Sequence, residues 1–182
     1  MFRRATISIV AALTASSSAF ARLGENDIQC ADRYGGTYPD TLAKHFPLIP
    51  GATHREYHYK GWVIRCAFVD GVVAREEYRK VIAPGVSPTI ADFEIAAILD
   101  AEAAGKTWTE RGKLSTFNPQ EQFKRMAMEV AGEKVWLRPD GPIAVLLAGK
   151  LAIRLETPAA AGADAKHKKE QEEKQRATVP KF

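Results

Sequence analysis

Residues 53–81 read Thr53-His-Arg-Glu-Tyr-His-Tyr59, Lys60-Gly61, Trp62-Val-Ile-Arg-Cys-Ala-Phe-Val69, Asp70-Gly71, Val72-Val-Ala-Arg-Glu-Glu-Tyr-Arg-Lys-Val81. Three runs rich in aromatic and β-branched residues are divided by two Xaa-Gly pairs, the pattern of an antiparallel three-stranded meander. With Lys60-Gly61 as a two-residue loop, Tyr59 faces Trp62, Tyr57 faces Ile64 and Arg55 faces Cys66, while Glu56 sits across from Arg65 as a charge pair. One face then carries Tyr57, Tyr59, Trp62, Ile64, Cys66 and Phe68. A two-residue Asp70-Gly71 loop would turn Arg75, Glu77 and Arg79 onto that face. A three-residue Val69–Gly71 loop with Gly71 as a bulge instead aligns Val72, Ala74, Glu76 and Tyr78 with it, and this register is expected.

Upstream, Asn26-Asp-Ile-Gln29 has the spacing of a capping box, Cys30 and Tyr34 share one helical face, and Gly35-Gly36 ends the helix. The proline-bearing stretch to Gly51 is a long connection with one turn around 41–45. Downstream, Pro84 to Pro88 breaks the chain, and Thr89 is placed to cap a helix over Ile90 to Ala104. Phe93, Ala97, Ile98 and Glu102 mark one side of it, with Ile95 and Leu99 adjoining. Residues 106–121 are looser, and 123–130 fit a strand or a short helix equally. Lys134–Arg138, Ile143–Ala148 and Leu151–Leu155 form a second meander, in which Ile143–Ala148 is apolar on both faces and needs cover on both.

Helix then meander thus occurs twice. The fold class expected is α+β, two helix-then-antiparallel-meander units packed together. The boundaries fall at 22–82 and 83–157. From Pro158 to Phe182 the chain is rich in Ala, then in Lys, Glu and Gln, and is expected to be a disordered or transiently helical charged tail.

Residues 1–21 carry Arg3-Arg4, a short apolar run over 5–15 and a small-residue ending at Ala21, the layout of a signal peptide cleaved after Ala21. The run is far below the roughly 20 apolar residues of a bilayer span, so no transmembrane segment is expected in the mature chain. The location expected is periplasmic or secreted. Of the net charge of +4, Arg3 and Arg4 carry two and the tail two more, leaving 22–157 neutral. Nucleic-acid binding by the body therefore loses its electrostatic driver.

The run Leu23-Gly-Glu-Asn26-Asp-Ile-Gln29-Cys30-Ala-Asp-Arg-Tyr34-Gly35, with the strands that lead to Phe68-Val-Asp70-Gly71, resembles the BamE (SmpA/OmlA) type of small envelope domain over residues 22–81. BamE proteins are lipoproteins of the outer-membrane barrel-assembly machinery. The resemblance implies an envelope location and a protein partner, although no Cys lies at the expected cleavage point for lipid attachment. Tandem helix-and-sheet units also occur in secreted β-lactamase inhibitor proteins, an analogy of fold alone.

Candidate chemistry is sparse. Cys30 and Cys66 both face inward; they either form a disulfide closing a loop of about 36 residues or remain two buried thiols. His54, Glu56 and His58 suggest a metal box, yet alternate strand positions put the two histidines about 13 Å apart, too far for one zinc. Asp92, Glu94, Asp100 and Glu102 read as helix-end or surface charges. Trp108 is the aromatic best placed to reach a surface groove. No catalytic set, cofactor or metal site is expected. The function expected is an exported, non-enzymatic module binding another envelope or secreted protein through a sheet face or strand edge. The alternatives are a small-ligand or cell-wall binder with an aromatic groove, or an unrecognised hydrolase.

Overall fold

The computed structural model describes residues 22–112 and 132–178. The expected signal segment and the ambiguous stretch at 123–130 lie outside the described residues. Helix α1 (Asp27–Tyr34) is followed by β1 (Thr53–Tyr59), β2 (Trp62–Val69) and β3 (Val72–Lys80), then by helix α2 (Asp92–Ala101), β4 (Thr109–Gly112), β5 (Gly132–Leu137), β6 (Ile143–Leu147) and β7 (Ala152–Glu156). Helix α3 (Pro158–Thr178) closes the order. The strands form one antiparallel seven-stranded sheet, ordered β1-β2-β3-β7-β6-β5-β4. The α+β class and both meanders are therefore present. The two units join edge to edge through β3 and β7.

The first hairpin has the register read from sequence, with Tyr59 opposite Trp62, Tyr57 opposite Ile64 and Glu56 opposite Arg65. Lys60 and Gly61 both have positive φ, as do Asp70 and Gly71. Both loops are thus two-residue turns whose twist matches the strands they join. The second corrects the expected three-residue loop: Val69 pairs with Val72 and Phe68 with Val73, and the irregularity falls one step further on, at Ala67/Phe68. Past that point Cys66 faces Glu76 and Ile64 faces Tyr78. The extra residue is absorbed within β3 rather than at Gly71, because Asp70-Gly71 already makes an unstrained turn. As a result Val73 enters the core, Val72 is exposed, and Ala74 packs on the opposite face.

Helix α1 forms as expected. Asn26 Oδ1 accepts from Gln29 N–H at 3.0 Å, Gln29 Oε1 accepts from Asn26 N–H at 2.9 Å, and Cys30 and Tyr34 are buried. Helix α2 starts later and ends earlier than expected. Its first free N–H, at Ala91, donates to Glu94 Oε2 at 2.7 Å, while the hydroxyls of Ser87 and Thr89 bond each other. Its inward side is Ile95, Ile98, Leu99 and Ala101; Phe93 points to solvent.

One core lies beneath both helices. It combines Tyr57, Ile64, Phe68, Val73 and Tyr78 of the first meander with Trp136, Leu146, Ile153 and Leu155 of the second. The two-sided burial expected of β6 is present: Ala144 and Leu146 enter this core, and Ile143 and Val145 pack with Val135 on the other face. Of the two forms expected for the tail, disordered or transiently helical, residues 158–178 take the helical one, as a docked helix. Ala160 is buried against Leu48, Ile49, Ala67 and Ala74, and Asp164 pairs with Arg75. These contacts hold the first turns of α3, which local composition alone could not stabilise.

Candidate functional site

Three arrangements stand out from ordinary packing. The first lies inside the main core. Glu76 on β3 and Glu102 at the end of α2 are fully buried and meet at one phenol. Tyr78 Oη lies 3.0 Å from Glu76 Oε2 and 3.1 Å from Glu102 Oε1, with Tyr34 Oη at 3.5 Å. Glu102 Oε2 accepts the Leu23 N–H at 3.1 Å, and Glu76 Oε1 lies 3.7 Å from Cys66 Sγ. A phenol has one proton and cannot donate to two carboxylates. The cluster is satisfied when one carboxyl is protonated and donates to the phenolic oxygen. Burial pushes both carboxyls up, Glu76 well above the usual carboxylate range and Glu102 to about 7. Sequence reading took Glu102 for a surface or edge charge; its signal was only a position four residues after Ile98 on the buried helical side. Sealed from solvent, the cluster holds a proton and presents no group to a solute.

The second arrangement lies on the opposite face. The cross-strand row Glu56, Arg65, Glu77 and Arg154 alternates in sign over β1, β2, β3 and β7. Glu77 is fully buried among three guanidiniums, 2.6 Å from Arg79, 2.8 Å from Arg154 and 3.5 Å from Arg65. Burial disfavours its charge, but the arginines prevail and hold the carboxyl below its usual range. Arg65 Nε also donates to Asp40 Oδ2 at 3.0 Å and its Nη2 to the Phe46 carbonyl at 2.9 Å, so the 37–50 connection is drawn over this face. Arg75 binds Glu156, Asp164 and the Leu48 carbonyl.

His54 belongs to the same cover. Its Nε2 accepts the N–H groups of Leu48 and Ile49 at 3.1 and 3.3 Å, and burial lowers its basicity. His58 pairs with Glu56 at 2.7 Å. These residues therefore fasten a loop and make a surface pair. Among the described residues no His, Cys, Asp and Glu group is arranged to hold a metal ion.

The third arrangement is an exposed apolar end of the sheet. Arg79 pairs with Ala152, so β3 ends and β7 begins at the same end of the sheet, with Val81 just past the one and Leu151 just before the other. Ile90 N–H donates to the Lys150 carbonyl at 2.8 Å, and Lys80 Nζ reaches Glu94 Oε2 at 3.0 Å, bringing the start of α2 alongside. Val81, Ile82, Val86, Phe93 and Leu151, on the segments that run out of β3, into α2 and into β7, are all exposed, Ile82 by 87% and Phe93 by 76%. Lys80, Asp92, Glu94 and Lys150 form charged pairs at its margin. An apolar set with a charged rim is a feature of interaction surfaces.

Cys30 and Cys66 are brought together in the main core, both fully buried and both free thiols. Trp108 packs against the main core with the Arg138 guanidinium 5.4 Å from its ring centre. A groove of about 730 Å³ lies elsewhere, between α3 and the β2–β3 turn, lined by Ile49, Phe68, Asp70, Ala163, Lys166 and His167 among others. The outer edge of β1 is partly occupied, since Tyr38 and Glu56 exchange backbone bonds at 2.8 and 3.2 Å. Among the described residues no helix is long and apolar enough to cross a membrane. No family model, curated protein or solved structure matches this chain.

Proposed function

We propose that the chain is an exported, non-enzymatic module that binds another envelope or secreted protein through the apolar end formed by Val81, Ile82, Val86, Phe93 and Leu151. The observation that carries this reading is the exposure of large apolar side chains there, on segments tied to the sheet by Lys80–Glu94 and by Ile90 to Lys150. Leaving such groups in water forgoes about 1.5–3 kcal/mol for each large side chain that a partner would bury. The covers over β1–β3, namely α1 and α2 on one side and residues 37–50 with α3 on the other, favour this rim over a sheet face. The resemblance of residues 22–81 to small envelope domains supports the same location.

The test compares the wild-type chain with an Ile82→Glu/Phe93→Glu variant as bait in its own envelope fraction. Both positions are solvent-facing, so the variant should keep its unfolding midpoint and lose at least tenfold in partner recovery. Equal recovery by both proteins, or recovery of the bait alone, would defeat the proposal. Sedimentation of the purified chain separates self-association from a different partner.

A second reading rests on the groove beside α3, whose Asp70, Lys166 and His167 suit a small zwitterion. A ligand-induced rise in thermal midpoint that Lys166→Glu removes would favour it.

A further inference from the structure

We propose that Cys30 and Cys66 form an intramolecular disulfide that fastens α1 to β2. The inference rests on how α1 is held. At its start, Asp27 Oδ1 accepts from Tyr57 Oη at 2.9 Å and Asp27 Oδ2 from Arg55 Nε at 3.2 Å. At its end, the Tyr34 ring packs 5.2 Å from Tyr57 and 5.5 Å from Tyr59. Both anchors lie on β1, and Arg55 is the cross-strand partner of Cys66. The helix is thereby laid across the hairpin with Cys30 facing the sheet, and the two thiols are neighbours in one buried cluster. Neither side chain has any exposed surface. Two neighbouring thiols on elements anchored to the same hairpin can meet disulfide geometry with local adjustment of α1.

The oxidant is a disulfide-bearing thiol carrier, and the chemistry is thiol–disulfide exchange. While α1 is still undocked, Cys66 on the sheet is open to solvent and gives up its proton to water. The thiolate attacks one sulfur of the oxidant, breaking the oxidant's S–S bond and forming a mixed disulfide with Cys66. The Cys30 thiol, giving up its proton to solvent, then attacks the Cys66 sulfur; the Cys30–Cys66 bond forms, the mixed disulfide breaks, and the second carrier sulfur leaves and takes a proton from solvent. The carrier departs as two thiols holding both electrons and both protons. Docking of α1 afterwards seals the bond from solvent.

The test refolds the full chain in a mixture of reduced and oxidised glutathione, blocks remaining thiols with an alkylating agent and maps the peptides. The expected product is a Cys30–Cys66 linked pair, with a thermal midpoint roughly 5–10 °C above that of the same protein after dithiothreitol. A Cys30→Ala/Cys66→Ala variant should fold and show no response to dithiothreitol. Alkylated thiols or glutathione adducts on a chain with native circular dichroism would overturn the proposal. So would a linked pair that leaves the midpoint unchanged or lower. Where refolding is incomplete, the chain is unfolded in urea, oxidised in the same glutathione mixture while the denaturant is removed slowly, and mapped in the same way; a native-folded fraction without the linked pair overturns the proposal.

Discussion

Replacing Arg75 by Met lowers the free energy of unfolding by about 3–5 kcal/mol, because it strips one buried guanidinium from two carboxylates and a carbonyl at once. Its Nε donates to Glu156 Oε2 at 2.6 Å, its Nη2 to Asp164 Oδ2 at 2.7 Å, and its Nη1 to the Leu48 carbonyl. Met keeps most of the aliphatic stem, so the loss reports the charged head rather than a void. Burial already pushes the Glu156 carboxyl up, and Arg75 is the main group that opposes it. Urea titration should show a lower midpoint with little change in slope. Adding Glu156→Gln to Arg75→Met should recover part of the loss, with a coupling of about 1–3 kcal/mol. A loss below about 1 kcal/mol, or purely additive changes, would mean that the cluster behaves as a solvated surface pair.

The second large effect is the dependence of stability on pH. In the unfolded chain Glu76 and Glu102 titrate near the ordinary value of 4.5; in the folded chain Glu102 is pushed up to about 7 and Glu76 well above its ordinary value. Between those values the folded state binds more protons than the unfolded one. Their contribution is complete below about pH 4.5 and is lost as pH rises through the folded values. For Glu102 alone the loss by pH 8 is about 3 kcal/mol. Glu25 adds to the repulsion on both carboxyls, and Arg138 works against it at Glu102.

His54 and Glu77 have the opposite sign. Both are held below their ordinary values, so their contributions fade as pH falls through about 6.5 for His54 and below 4.5 for Glu77. Stability should therefore peak between about pH 5 and 6. Glu76→Gln removes one ionisation and should raise stability at pH 8 relative to wild type, flattening the decline. Urea unfolding at pH 5.5 and pH 8 measures it. Equal wild-type stability at the two pH values, with no gain in the variant, would show that the carboxyls are solvated.

What the sequence made legible follows the range of the interactions involved. The β1–β2 register and the α1 cap depend on residues a few positions apart, and both are visible as spacing. The bulge in β3 was misplaced because Val69 to Ala74 permits two ways of absorbing one residue, and the choice depends on the unstrained Asp70-Gly71 turn. The docking of α3 was missed because its partners are distant: Arg75 and Asp164 lie 89 positions apart. Glu102 was misread for a related reason, since a carboxyl between Ile98 and Gly105 looks like a helix-end charge until Tyr78 and Leu23 are brought to it. The apolar end was hidden because Phe93 fits an amphipathic helix on either side. Its outward position follows from helical phase, since Ile95, Ile98 and Leu99, which face the core, lie on the side opposite to it.

The strand order has a consequence for the order of synthesis. Of the described strands β7 is the last to leave the ribosome, yet it lies in the middle of the sheet, between β3 and β6. The opening meander can form early, but its β3 edge stays unzipped until residues 152–156 arrive. Throughout that interval the nascent chain displays a bare row of amide and carbonyl groups, which invites a holdase or an unwanted neighbour before the final strand takes the seat.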